Sequence, residues 1–319
     1  MTKLSAMICS CMTSKKSSLE SLSKNYDGKA FQKESYIKQS KRFLSSKWVD
    51  WNSFFAPFIS PIVSQLALKG ELNLIIDGTQ TAGNCNTLML SVIWRKYAIP
   101  LVWLTKVGEK GHFLENIHID LLDLASNIIP KNCRVVILGD GEFDGKLLRQ
   151  RIQDLKWEYV LRTSKDRKID SGCGEEVRFD QVGLTSDQET TFISGASESS
   201  NAIYWLGKGF EEPIYLLTNM DLAEMACLYY RRRFKIELLF KQLKSAGFNL
   251  QKSMLEGEVR CSNLIMVLAF AFIFAFCLGL LVKKQAKEVI NKIYRFDRIE
   301  IIRPIALAQK CLENHKKCS

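Results

Sequence analysis

At 319 residues the chain is long enough for a large core, and for one main domain with an appendage or an insertion. Lys and Arg outnumber Asp and Glu by 45 to 34, a formal charge of +11 that favours a polyanionic partner such as nucleic acid. The ten cysteines are scattered and form no C-x2-C pair, the closest two being Cys9 and Cys11, and there are only three histidines, His112, His118 and His315; this argues against a disulfide framework and a structural zinc site, and for free thiols in a reducing cytoplasm.

Along the chain, the basic excess concentrates at the front. Residues 1–47 hold ten Lys and Arg against Glu20, Asp27 and Glu34, and the opening MTKLSAMICSCMTSKK is too short and interrupted in its apolar stretch for a secretory signal. Residues 1–68 read as a small helical, basic DNA-binding region: Tyr36, Phe43, Trp48, Trp51, Phe54 and Phe55 interleave with Lys38, Lys41, Arg42 and Lys47, aromatics for a core and cations for phosphates. A helical cap packed on the main domain has the same pattern.

From residue 72, LNLIID, TLMLSVIWR and IPLVWLTK predict three consecutive strands in an antiparallel meander. A helix is expected near 114–126, then the wholly apolar RVVILG as a buried strand, a helix at about 143–155 and the strand EYVLRTS. Residues 165–212 are poorer in apolar residues and predict a β-rich insertion outside the core; PIYLLTN returns to the core ahead of a long helix at about 221–246. Residues 264–282 form an uncharged apolar run long enough to span a bilayer or to serve as a helix buried all round.

Asp77 closes LNLIID and Asp140 follows RVVILG, so each stands at the carboxyl end of a strongly apolar strand. One such Asp reads as a cap or turn residue. Two on neighbouring strands can reach one hard cation, and the pair gains meaning with a third ligand. The candidate lies in YYRRRFKIELLFKQLK, where Tyr230, Arg233, Glu237 and Lys244 fall within roughly a 60° sector of one helix face at about 100° per residue. Tyr230 and Lys244 would stand about 21 Å apart at about 1.5 Å per residue, so only Glu237 can join the metal site. Tyr230, Arg233 and Lys244, with Lys241 beside them, are expected to follow a phosphate backbone. A solvated charged face would give the same pattern. Three carboxylates with two Mg²⁺ ions suit in-line attack on a phosphodiester and need no nucleophilic side chain.

At these residues the sequence resembles the DDE transposases of bacterial insertion sequences, in the group marked by Tyr-x2-Arg-x3-Glu-x6-Lys: Tyr230, Arg233, Glu237 and Lys244 meet every spacing. IIDGTQ resembles the family's first-Asp strand, LGDGEFDG its second-Asp turn, EEPIYLLTN the strand before the Glu helix and KRFLSSKW the helical segment ahead of the catalytic domain. Glu142 and Asp144, in the turn after Asp140, compete with it as ligands; Asp140 is preferred because it follows the buried strand directly.

The resemblance implies an α/β, RNase H-like mixed sheet flanked by helices, with catalytic parts at 69–164 and 213–283, the insertion at 165–212 and a basic tail at 284–319. It implies catalysis and metal binding by Asp77, Asp140 and Glu237, with two Mg²⁺ ions replaceable by Mn²⁺, and DNA contacts from Tyr230, Arg233, Lys244, Lys241 and Arg42. The implied activity is cleavage at terminal inverted repeats through a hairpin intermediate and strand transfer into target double-stranded DNA, by a homodimer in the bacterial cytoplasm at the nucleoid. The same fold would bury the 264–282 helix, against a membrane role. The alternative is a decayed or domesticated copy that only binds DNA.

Overall fold

The computed structural model describes residues 3–23, 33–108, 113–170, 174–184, 189–197 and 200–290. His112, His315 and most of the basic tail lie outside these residues. The centre is an eight-stranded mixed sheet made of β1 (Glu71–Gln80), β2 (Cys85–Trp94), β3 (Tyr97–Val107), β4 (Arg134–Gly139), β5 (Glu158–Arg162), β8 (Thr190–Ser197), β9 (Ser200–Trp205) and β10 (Ile214–Thr218), in the order β3-β2-β1-β4-β5-β10-β9-β8. The predicted meander is the antiparallel β1-β2-β3 run. The next strands, β4 and β5, add in parallel to β1, each reached through a crossover helix, α5 (Glu115–Ser126) and α6 (Lys146–Asp154). Strands buried on both faces need continuous apolar sequence, which RVVILG supplies: Val135 through Leu138 are at most 1% exposed.

The insertion divides in two. β6 (Lys168–Asp170) and β7 (Glu176–Arg178) form a separate two-stranded sheet. The β8-β9 hairpin instead pairs with β10 and extends the main sheet, and Ile169 and Phe179 of the first part are buried in the same hydrophobic core, where the sequence suggested a β-rich insertion outside it.

The helical N-terminal region comprises α1 (Lys3–Ser14), α2 (Leu19–Leu22), α3 (Lys33–Leu44), a π-helical turn at Trp51–Phe55 and α4 (Ala56–Ala67). It shares one continuous core with the sheet and with α9 (Glu258–Ile290). Phe55 meets Trp103 of β3 at 5.0 Å and Phe270 of α9 at 5.1 Å, and Asn263 donates to the Leu44 carbonyl at 3.0 Å. By length and composition α9 could cross a membrane over Glu258–Val282, yet two thirds of its most apolar window is buried inside the protein, as in a core helix.

The helix predicted over 221–246 is broken. α7 (Ala223–Tyr230) ends in a tight turn at Arg231–Phe234, α8 (Lys235–Lys241) follows, and the last turn, Gln242–Ala246, widens to π geometry. This bent segment crosses the face of β1 that carries Glu71, Asn73 and Asp77, residues that alternate to one side of the strand. Tyr229 donates a hydrogen bond to Glu71, and Arg232 donates to Asn73 at 3.1 Å. The opposite face carries Ile76, against which Phe143 and Leu161 leave no room for a side chain at Gly139.

Candidate active site

Asp77 lies in β1 and Asp140 just past β4, at corresponding positions two residues beyond the last paired residues, Ile75 and Leu138. The parallel register therefore sets the two carboxylates side by side at the carboxyl end of the sheet. Each is anchored by a backbone N–H: Gly78 donates to Asp77 at 2.8 Å, and Glu142 donates to Asp140 at 3.0 Å as Asp140 caps the short 3-10 turn Gly141–Phe143. Burial pushes the Asp77 carboxyl up to about 7, and the negative charge of Asp140 adds to this; Arg233 and the Gly78 N–H pull the other way, and Glu142 raises it further.

Arg233, expected on one helix face with Glu237, stands between that residue and Asp77. It is 7% exposed and turned inward, with Nη1 3.6 Å from Asp77 and Nη2 3.7 Å from Glu237. Its guanidinium packs against the rings of Tyr230 and Phe234 at 5.7 and 4.8 Å, and its Nε is buried without a hydrogen-bond partner. Tyr230 is itself buried; desolvation raises its pKa, and the neighbouring Arg233 and Arg162 pull it down. Of the expected stripe, Tyr230 and Arg233 are thus buried beside the carboxylates, with the turn at 231–234 between α7 and α8. Lys244 is half-buried with its ammonium over the Phe240 ring, while Lys241 and Arg42 are exposed.

The competing acids are otherwise engaged. Asp144 accepts from Thr163 and pairs with Arg167 at 2.6 Å, which ties the second-Asp turn to the insertion. Glu142 accepts from the Phe113 N–H at 2.8 Å with His118 Nε2 3.9 Å away, and it faces the Asp77 end of β1. Sequence reasoning missed the clamp of Glu71, Tyr229, Arg134 and Arg232 at the other end of β1, where Arg134 and Arg232 lie over the Tyr229 ring. Its only trace in the sequence is the i, i+2 spacing of Glu71 and Asn73 on the strand that ends at Asp77.

Among the described residues no group of three or more His, Cys, Asp or Glu side chains is gathered closely enough to hold a metal ion. Glu237 is 62% exposed and meets Arg233 instead of the aspartates. Asp77 and Asp140 alone stand side by side, so the three-carboxylate set expected from the sequence is not assembled in this structure.

The Transposase DDE domain family matches residues 116–274, just under half of the chain and from α5 to α9. No curated protein matches it. Similar solved structures include a piggyBac transposase synaptic complex with hairpin DNA, at 10% identity over 99% of this chain and 73% of that one, TM-score 0.48. Ciona intestinalis endonuclease V, bound to a 24mer DNA containing an inosine followed by a ribo-adenosine, is 13% identical over 61% of this chain and 96% of that one, TM-score 0.34. Likeness at these scores carries no argument about this chain. The match to the Transposase DDE domain family takes in the strands and helices that carry Asp140 and Glu237, within a mixed α/β sheet flanked by helices.

Proposed function

We propose that this protein is a cut-and-paste DNA transposase that cleaves at its element's terminal inverted repeats and transfers the freed ends into target DNA, working as a dimer in the bacterial cytoplasm. The observation that carries the reading is the side-by-side placement of Asp77 and Asp140 at the ends of parallel strands, with Glu237 joined to Asp77 through one guanidinium.

Asp77 and Asp140 are the proposed ligands of two Mg²⁺ ions, with Glu237 completing the set once it turns from Arg233. Bound there, Mg²⁺ would supply activation of a water or 3′-hydroxyl and stabilisation of the leaving oxygen. The protein's own part is to hold the aspartates rigid through the β1–β4 register and the Gly78 and Glu142 amides, and to keep Asp77 poorly solvated. Lys241, Lys244 and Arg42 are proposed contacts to the DNA backbone, with 1–68 as the end-binding region.

Purified protein is expected to nick and join duplexes carrying the inverted repeats that flank its gene, with Mg²⁺ or Mn²⁺ present, and Asp77→Ala, Asp140→Ala and Glu237→Ala each to abolish both steps. Full activity in any of the three would sink the site assignment. A binding-only protein is the second reading, favoured by the turning of Glu237 away from the aspartates. It predicts salt-sensitive DNA binding that survives Glu237→Ala, and no cleavage by the unaltered chain.

A further inference from the structure

The core helix α9 is not covered on every side. Phe274 is 43% exposed and Leu281 58%, Cys277 between them is exposed, and Leu278 is half-buried. At about 100° per residue these four share roughly a 100° sector, the width of the stripe by which a helix packs on a neighbour. Phe58 of α4 meets one end of it, 5.5 Å from the Phe274 ring, and Cys277 and Leu281 lie beyond that contact. A helix side that faces water carries polar residues at each turn, yet residues 264–282 hold no charged, amide or hydroxyl side chain. The stripe therefore has the composition of a covered surface.

The sequence that follows α9 carries a matching pattern. Ile305, Ala308 and Leu312 are spaced three and then four residues apart. Leu281, Leu278 and Phe274 have the same spacing when α9 is read backwards, as an antiparallel neighbour would meet it. At about 100° per residue, Ile305, Leu307, Ala308, Cys311 and Leu312 fall on one half of a helical wheel, and Gln309, Lys310, Glu313 and Lys317 on the other. Pro304 stands where a helix favours proline, at its start.

Lengths agree as well. Phe274 to Leu281 and Ile305 to Leu312 each span about 10 Å at about 1.5 Å per residue. The return from Ile290 to the level of Leu281 is about 14 Å, well within the reach of residues 291–304 at about 3.3 Å each. A second copy docked here would gain only this short stripe, where stable interfaces bury about 1,200–2,000 Å². A segment of the same chain is held close by its attachment and needs no such area.

We propose that residues 305–316 lie antiparallel along α9 and cover the stripe from Phe274 to Leu281, with Leu312 near Phe274 and Ile305 near Leu281. The segment shields this flank of α9 from water, from second copies and from lipid, and it turns Lys310 outward. The assignment is independent of any metal or DNA bound elsewhere on the protein.

The test uses the full chain, because Cys277 lies on the stripe and Cys311 on the apolar side of the segment, about 3 Å apart along the axis in the matched register. A short bis-maleimide is expected to link Cys277 to Cys311 within one chain, identified by mass spectrometry of the monomer band. Leu312→Asp should abolish that link and raise the alkylation rate of Cys277 by about tenfold, as expected when a protecting contact is opened. A folded Leu312→Asp protein whose Cys277 reacts no faster than in the unaltered chain overturns the proposal. So does the absence of a Cys277 link in the unaltered chain, or a link to Cys318 in place of Cys311. Linkage of Cys277 between two chains only assigns the stripe to a second copy, and recovery of the unaltered chain in detergent only assigns it to lipid; either result overturns the proposal. If circular dichroism shows Leu312→Asp to be unfolded, Ile305→Asp takes its place with the same expected results.

Discussion

Replacing Asp77 with asparagine should stabilise the metal-free protein above neutral pH, in contrast to most substitutions at a buried position. Burial and the charge of Asp140 raise this carboxyl from 3.8 to about 7 in the folded state. Below pH 3.8 the group is protonated in folded and unfolded chains alike and stability is unaffected. Between 3.8 and about 7 the unfolded chain has released a proton that the folded chain keeps, so stability falls as pH rises. Above about 7 both forms are ionised and the loss is complete. At about 1.4 kcal/mol per pKa unit, the full loss is on the order of 4 kcal/mol. An asparagine of the same shape keeps an acceptor for the Gly78 N–H and removes the buried charge. With an unfolding entropy of about 2.1 cal/mol/K per residue, the gain corresponds to a rise in Tm on the order of 6 °C. The assay is thermal unfolding by circular dichroism in EDTA at about pH 5 and about pH 8.5, on either side of the folded-state titration. The gap between the two proteins should widen from the lower pH to the higher, and Mn²⁺ should close it from the side of the unaltered chain. An Asp77→Asn protein that melts below the unaltered chain at the higher pH, or a gap that ignores pH, would refute the account of a carboxylate held ionised against its surroundings.

Gly139→Ala should lower stability by about 1–3 kcal/mol in urea unfolding, because its Cβ would stand 2.9 Å from Phe143, 3.0 Å from Leu161 and 3.1 Å from Ile76; the displaced turn should also weaken Mn²⁺ binding through Asp140. Tyr229→Phe removes the hydroxyl that donates to Glu71 and should reduce stability by about 1 kcal/mol, measured by the same unfolding curve. Phe55→Ala should cost about 3–5 kcal/mol, and the curve should remain a single transition, since Phe55 packs against both β3 and α9; a separate early transition would show instead that the N-terminal helices fold independently.

The features that were legible in the sequence are those that local pattern determines. LNLIID ends in Asp77 and RVVILG is followed at once by Asp140, and a strand buried on both faces leaves few other assignments. Pairing at a distance is decided by which sheet edge is free, and so the β8-β9 hairpin joined the main sheet through β10 although its own composition, in ETTFIS and AIYWLGKG, gave no sign of it. The bend at Arg231–Phe234 was hidden for another reason. Helical periodicity runs through YYRRRFKIELLFKQLK without a Gly or Pro, and the break comes from tertiary ties: Tyr229 and Arg232 bind the strand at Glu71 and Asn73 while Arg233 is drawn to Asp77. The wheel placed Arg233 and Glu237 on one side, where they pair, and it could not show that Arg233 would stand between Glu237 and Asp77.

The apolar run at 264–282 could be assigned to neither membrane nor core from its own residues, because a helix apolar all round suits either medium. What resolves it lies elsewhere in the chain. α9 runs against β2 and β3 on one flank, and α1, α3 and the Trp51–Phe55 turn cover another. Trp103 binds Ser262 from the sheet, and Phe58 meets Phe270 and Phe274 from α4. The N-terminal helices are therefore part of the reason that α9 is a core helix, since without them its Phe270 flank would stand open to water. A region that reads in isolation as a separate module is thus also structural, since it covers one flank of α9.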